Sequence, residues 1–336
     1  AAFIAEWTFR PENAMDYSNT GHFVYDCCPT TTASDFFVWR YKGMLKRFPE
    51  LRGIYFDFGT VSGCSNEDHG CRERTPLLAQ REFYRRMCVA QLEAGITNPA
   101  VVVHNTDCVQ IPALTFTTHL LNGEQVRQAS TSTLHGNRDI LDSYGLEMFA
   151  CELSTLPWGV ANSVYLPFDK LSEKNGGDPN ESDALYKFRM GKAAFAAILP
   201  HDTVPCLWRN HFGLFDKLIR VYDRFGVDKA KFTGYWREPA RVTAGNDVIV
   251  STYARDGKIL AVIGHVGKPH VDQDIEIVFD LAKLGVTDTL KSATDTMTAP
   301  DPEYVWLFEM EKKVGLPKSR VPLELGEFGT EVLAFD

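Results

Sequence analysis

The chain has 336 residues, which at about 100–200 residues per domain leaves room for two domains or three small ones. Lys plus Arg number 35 and Asp plus Glu 44, a formal charge of −9; that balance argues against a nucleic-acid binder, which turns a basic face toward phosphates. Apolar residues make up 44%, enough to bury a large core. No apolar run approaches the roughly 18–20 residues of a membrane helix. The richest, Met190–Leu199, is broken by Gly191 and Lys192 and stopped by Pro200.

The chain opens at Ala1 and enters Phe3-Ile4-Ala5 without the basic and apolar regions of a signal peptide, so further residues are expected upstream. Ser34 is placed to cap a helix with an apolar face of Phe37, Tyr41, Met44, Leu45 and Phe48, ended by Pro49. Gly53-Ile54-Tyr55-Phe56-Asp57 reads as a short buried strand turning at Gly59, followed by a polar loop to about Thr75. A second helix carries Tyr84, Met87, Cys88 and Leu92 and stops at Gly95. Ala100–His104 is a β-branched run suited to a parallel strand covered on both faces. Leu114–Phe116 and Met148–Cys151 are expected as two more strands, then a helix from about Asp183 to Leu199 and a strand Val204–Trp208. The last helix of this region carries Leu214, Leu218, Val221, Tyr222 and Phe225 and ends at Gly226.

Strand–helix alternation predicts a parallel sheet with helical crossovers. No G-x-G-x-x-G follows a strand and no G-x-x-x-x-G-K-[ST] occurs, which disfavours a nucleotide-binding sheet. From about Pro239 the texture changes. Val248–Tyr253 and Lys258–Ile263 flank Asp256-Gly257, a hairpin signal. Ile275, Ile277 and Phe279 alternate with other residues, and Tyr304–Phe308 and Glu331–Phe335 complete a set expected to form an antiparallel β-sandwich. The expected architecture is a (β/α)8 barrel over residues 1–238, incomplete at its N-terminus, followed by a sandwich over 239–336.

Acids that follow strands are the candidate chemistry, because a barrel builds its site at the strands' C-terminal ends. Asp57 follows Ile54-Tyr55-Phe56, and Glu124 follows Gly123 after an apolar run. Glu6, Asp107 and Glu152 also follow apolar segments. Each competes with an ordinary cap or surface role. Two carboxyls across a cleft are what glycoside hydrolysis requires, one protonating the leaving oxygen and the other attacking the anomeric carbon or activating water. Asp57 and Glu124 are the leading pair. Trp7, Tyr55, Trp158 and Trp208 offer faces for sugar stacking, with core packing as the competing fate. His104, in His104-Asn105-Thr106-Asp107, can hydrogen-bond a substrate hydroxyl or serve the fold. There is no G-x-S-x-G elbow and no H-E-x-x-H helix, which leaves a serine esterase or a zincin unsupported.

Of the eight cysteines, Cys88 sits on a helical pattern and Cys151 and Cys206 on strand patterns, where core burial is expected. The loop Cys64-Ser65-Asn66-Glu67-Asp68-His69-Gly70-Cys71 is the most distinctive local feature. Three states fit it: zinc ligation by Cys64, His69 and Cys71 with a fourth ligand from Cys27, Cys28 or a carboxylate, a disulfide closing the loop, or free thiols. One sequon, Asn180-Glu181-Ser182, is a match at chance level.

The ordered strings GIYFDFG, CSNEDHGC, VVVHNTD, LTFTTHLLNGEQ, MFACELSTLPWGV, YLPF and LPHDTVPCLW resemble bacterial proteins related to glycoside hydrolase family 123. The resemblance spans residues 1–238 and rests most on the Cys64–Cys71 string. It implies a (β/α)8 barrel with a C-terminal sandwich, carbohydrate hydrolysis, and export from the cytoplasm; no cofactor is expected beyond a structural zinc at the cysteine loop. It also implies that an upstream segment of the same protein completes the barrel. Family 123 enzymes use an adjacent Asp-Glu pair with the substrate's N-acetyl group as nucleophile. Here no such dipeptide follows a barrel strand, and Glu67-Asp68 is reversed and lies in the cysteine loop. N-acetylgalactosaminidase activity therefore does not carry over. A glycosidase is the leading reading; a non-catalytic carbohydrate-binding protein and a thiolate–zinc hydrolase are the alternatives.

Overall fold

The computed structural model describes residues 3–9, 15–16, 23–57, 59–69, 71, 74–105, 108–123, 145–165, 195–206, 212–245, 247–266, 273–287, 293–295, 320–325 and 330–335. The chain divides into two compact units, Ala1–Asn122 and Gly123–Asp336.

The first unit contains α1 (Ile4–Trp7), the antiparallel pair β1 (Met15–Asp16) and β2 (Phe23–Val24), then α2 (Ala33–Arg47), β3 (Gly53–Phe56), α3 (Leu77–Glu93), β4 (Ala100–His104), α4 (Ile111–Leu114) and β5 (His119–Asn122). Strand β4 pairs in parallel with β3 on one side and β5 on the other. One face of this sheet is closed by helices: Val38, Tyr41 and Leu45 of α2 and Tyr84, Met87 and Ala90 of α3 pack on Val101 and Val103. Side chains alternate along a strand, so Tyr55, Val102 and His104 fall on the other face, and Asp57 continues it.

The buried stripe of α2 is Ser34, Val38, Tyr41 and Leu45, at i, i+4, i+7 and i+11. Tyr41 and Leu45 of the face expected from sequence are buried, but Phe37, Met44 and Phe48 are exposed, so the buried stripe is turned part of the way toward Ser34 and Val38. Ser34 is not the cap. It lies inside the helix and its hydroxyl donates to the Pro29 carbonyl at 2.8 Å. In α3, Tyr84 and Met87 are buried as expected, but Leu92 is exposed. The chain leaves α3 through Gly95 at φ +84°, a conformation that favours glycine. Residues 114–116 do not form the expected strand. Pro112 opens a short helix there, and pairing with β4 begins at His119.

In the second unit, Leu146–Met148 is helical and continues into a π-helical turn, Phe149–Leu153, where a strand was expected. Phe149 and Leu153 are both fully buried, a spacing of four that one helical face provides. Cys151 is consequently exposed and not part of the core. Strands β6 (Ala161–Tyr165) and β7 (Val204–Cys206) are parallel. Of the helix expected from Asp183, the part up to residue 194 lies outside the described residues, as does the expected strand Tyr304–Phe308. The helix Phe212–Phe225 forms as read and ends at Gly226, φ +77°.

Two antiparallel sheets follow. One has the order β13 (Ala293–Asp295), β15 (Thr330–Phe335), β11 (Lys258–His265), β10 (Val248–Arg255), β8 (Lys231–Thr233); the other β14 (Arg320–Leu325), β12 (Gln273–Phe279), β9 (Ala240–Ala244). Asp256 and Gly257 take φ of 51° and 76°, the pair of positive values a two-residue primed turn requires. Val250, Ala254, Ile259, Ala261 and Ile263 share one core with Ile275, Ile277 and Phe279, so the two sheets pack face to face. The opposite face of β11, Leu260 and Val262, packs on Leu218, Val221 and Tyr222 of the helix. Burial on both faces explains the continuous apolar run of β11. Among the described residues, no helix is long and apolar enough to cross a membrane.

Candidate functional site

Register places Asp57 beside His104: Phe56 is level with Val103 on the parallel neighbour, and each is followed by the next residue at its strand's C-terminal end. His104 Nδ1 lies 2.8 Å from Asp57 Oδ1 and donates to it. The Tyr55 hydroxyl donates to the same oxygen at 3.1 Å. The Tyr55 and His104 rings stand 6.3 Å apart. The Asp57 side chain is 53% exposed whereas His104 is only 12% exposed, so a mostly buried imidazole fixes a carboxylate that a solute can reach.

Gly59 makes this turn possible. A Cβ there would sit 2.0 Å from Val103 Cγ1 and 3.0 Å from the His104 carbonyl, so only glycine lets the chain cross the end of β4. Its N–H donates to His104 O at 3.1 Å and its carbonyl accepts from the Tyr84 hydroxyl at 2.6 Å. Gly123, at φ +104°, turns the chain sharply just before Glu124.

Asp57 also lines a cavity of about 250 Å³ with Tyr25, Asp26, Phe37, Phe56 and Phe83, a little below the roughly 300–1,000 Å³ of drug-sized ligand sites. Asp26 is an acid that sequence reasoning did not select, because no strand or glycine marks it. At the end of β4, Asn105 donates to Asn122 at 3.3 Å. Asn122 is fully buried; a polar residue closing the apolar run Leu120-Leu121 was the available signal.

A second constellation lies in the same unit. Cys28, Cys64, His69 and Cys71 bring three sulfurs and one imidazole nitrogen together, all within 4.8 Å of one another. Cys28 Sγ is 3.9 Å from Cys71 Sγ, and Cys64 Sγ is 3.1 Å from His69 Nε2. None of the eight cysteines is in a disulfide. Cys28 is fully buried, and burial pushes its thiol up to about 12 against the opposing hydrogen bond from Thr30; burial also raises Cys64. Cys27 is turned away, its thiol directed to the Tyr25 carbonyl.

Of the other residues picked from sequence, Trp7 stacks on Phe3 at 4.7 Å and leans on Phe36 at 5.4 Å, and its Nε1 donates to Thr32. In the second unit, Trp158 Nε1 donates to the Glu152 carbonyl at 3.1 Å, with Glu152 exposed on the π-helical turn. Glu124, Asp107 and Trp208 lie outside the described residues. The structure thus joins Tyr55, Asp57 and His104 in one group and Cys64, His69 and Cys71 in another.

Residues 216–317 match the family model for glycoside hydrolase 123, C-terminal domain. No curated protein matches the sequence. Among solved structures, the chain is similar to the alpha-amylase from Geobacillus thermoleovorans, crystallised with acarbose, at 9% identity and TM-score 0.56, covering 100% of this chain and 72% of that one. It is similar to an Anoxybacillus alpha-amylase at 7% identity and TM-score 0.55, covering 99% and 71%. It is also similar to a noncanonic maltogenic alpha-amylase from Thermotoga neapolitana at 11% identity and TM-score 0.52, covering 98% and 72%. At these identities the likeness is one of fold: part of a (β/α) barrel followed by antiparallel sheets. The family match covers the C-terminal part of the chain, residues 216–317, which is similar there to the C-terminal domain of glycoside hydrolases of family 123.

Proposed function

We propose that the chain hydrolyses a glycosidic bond of a polysaccharide or glycan by a two-carboxylate mechanism, with Asp57 as nucleophile or base and Glu124 as the acid/base. The observation that carries this reading is the Asp57 carboxylate at the C-terminal end of β3, reachable by a solute and oriented by Tyr55 and His104. In a barrel that end of the strands is where loops gather the reacting groups. Two donors on one oxygen fix the carboxylate's rotamer, which is needed either to attack an anomeric carbon or to take a proton from the water that attacks it. Exposed Tyr55, on the same face, offers a sugar a ring to stack on. Carbohydrate is the expected partner, and an extracytoplasmic location belongs to the same proposal.

Asp26 gives a second reading of the acid, since it lines the cavity that Asp57 lines. The experiment is release of reducing ends from a panel of polysaccharides by the wild-type chain, Asp57→Asn, Glu124→Gln and Asp26→Asn, with thermal unfolding as the folding control. Asp57→Asn and Glu124→Gln are each expected to lower kcat by about 10²–10⁴-fold, with unfolding unchanged. Loss in Asp26→Asn, with Glu124→Gln intact, would transfer the acid role to Asp26. Oligosaccharide binding by wild type without turnover would identify a binding protein instead.

A further inference from the structure

The described residues between Asp57 and Leu77 form no regular secondary structure, and loops of that kind longer than about 12–15 residues are uncommon in compact domains and usually functional or disordered. The loop's apolar anchor is small: Phe9, Cys28 and Val61, with Cys64, Cys71 and Leu77 packed against them. Three sulfur donors of that anchor, Cys28, Cys64 and Cys71, meet the half-buried His69 imidazole there. Tetrahedral zinc, with Zn–S near 2.3 Å and Zn–N near 2.0–2.1 Å, sets its sulfurs about 3.8 Å apart and a sulfur about 3.6 Å from a nitrogen. Cys28 and Cys71 stand at 3.9 Å, Cys64 and His69 Nε2 at 3.1 Å, and no pair of the four donors exceeds 4.8 Å.

The imidazole is preset for the task. His69 Nδ1 lies 2.8 Å from the Glu6 carbonyl, which can only accept, so Nδ1 carries the proton and Nε2 presents its lone pair to the sulfurs. That is the outer hydrogen bond by which zinc-ligating histidines are oriented. The backbone around the donors is also tied: Cys28 N–H donates to Trp7 O at 2.7 Å and Cys64 N–H to Arg74 O at 2.8 Å. Between Cys64 and His69, Asn66 is buried and donates to Ala5 O at 2.6 Å and Thr8 O at 2.7 Å, while its carbonyl accepts from Asp68 N–H at 2.9 Å.

We propose that Cys28, Cys64, His69 and Cys71 bind one Zn²⁺ as a structural site that pins the loop leaving Asp57 to the segment preceding α2. Three thiolates and one imidazole in tetrahedral array select zinc over the oxygen-seeking cations. On binding, three thiol protons pass to solvent and four protein–metal bonds form. Four protein ligands close the coordination sphere, so the ion has no open position for a substrate or a reactive water. That distinguishes the site from the thiolate–zinc hydrolase considered from sequence and makes it independent of the glycosidase reading.

The test is metal analysis of the 336-residue chain, expressed with zinc and purified without a metal column, beside Cys28→Ser, Cys64→Ser, Cys71→Ser, His69→Ala and the control Cys27→Ser. Wild type and Cys27→Ser are expected to carry one zinc per chain, and the four ligand variants at least tenfold less. Cobalt exchanged into wild type should show sulfur-to-metal charge transfer and the intense visible bands of a tetrahedral site; this readout stands even if a ligand variant fails to fold. Folded wild type without zinc, a Cys64–Cys71 or Cys28–Cys71 disulfide found by peptide mapping, or full zinc in Cys64→Ser and Cys71→Ser would each overturn the proposal.

Discussion

The packed antiparallel sheets and the loop 59–76 are held by opposite means. In the sheets, Ile259, Ala261, Ile263, Ile275 and Ile277 are buried to 1% exposure or less, and stability scales with apolar area removed from water. In the loop, a buried asparagine, backbone-to-backbone bonds and the Cys64 and Cys71 thiols and His69 imidazole, gathered with Cys28 from outside it, take that place. The first design tolerates changes that keep volume. The second fails when a particular polar atom is lost, because its partners are left buried and unpaired. Asp57, just ahead of the loop, gains from the second design, since such contacts fix position as well as supply energy.

The comparison breaks most sharply at Ile277. Ile277→Ala is expected to cost about 2–5 kcal/mol of unfolding free energy, read from urea denaturation, without altering zinc content. A cost below about 1 kcal/mol would mean that the sheets are less tightly packed than their burial indicates.

Acid tests the second unit by another route. His201 is buried with Nδ1 donating to Ala197 O at 2.5 Å, and burial lowers its pKa to about 4 against that opposing bond. Between about pH 6.5 and 4 the unfolded chain binds a proton the folded chain excludes, so stability is full above the unfolded value and falls as pH drops through this window. The full shift corresponds to about 3 kcal/mol. Neighbouring Asp202 works the other way: burial raises its pKa, opposed by the Tyr253 hydroxyl, so it favours the folded state slightly as acid is added. Thermal midpoints should decline across this window in wild type and less steeply in His201→Gln. Equal slopes would remove His201 as the cause.

Asn66 sharpens the loop side. Asn66→Ala should cost about 2 kcal/mol locally and raise proteolytic cleavage within residues 59–76 by roughly 30-fold, leaving the sheets' denaturation midpoint in place. Unchanged cleavage would show that these hydrogen bonds do not hold the loop.

Legibility in the sequence follows the range of the interactions. The Asp256-Gly257 hairpin, the β4 run and the Ile275–Ile277–Phe279 alternation were readable because a strand's period and a turn's chemistry are local. The face of α2 was legible at Tyr41 and Leu45 but not at Phe37, Met44 and Phe48, because large apolar side chains marked an edge of the stripe that the shorter Ser34 and Val38 form instead. The strand expected at Met148–Cys151 failed because an apolar quartet reads alike in strand and helix until Leu153 is included. Asp57, Tyr55 and His104 were each selected separately, yet their meeting depends on β3–β4 register, which no local pattern encodes. The same holds for Cys28, which joins Cys64, His69 and Cys71 from a segment on the far side of α2 and β3, and for Asp26, whose place on the cavity comes from packing alone.

The most direct test of the central claim, that the Asp57 carboxylate performs glycosidic bond cleavage, is oligosaccharide binding and single-turnover hydrolysis measured together on Asp57→Asn. The account predicts a folded protein that binds its oligosaccharide within a few-fold of wild type while the cleavage step slows by about 10²–10⁴-fold. Cleavage at the wild-type rate in Asp57→Asn would contradict it.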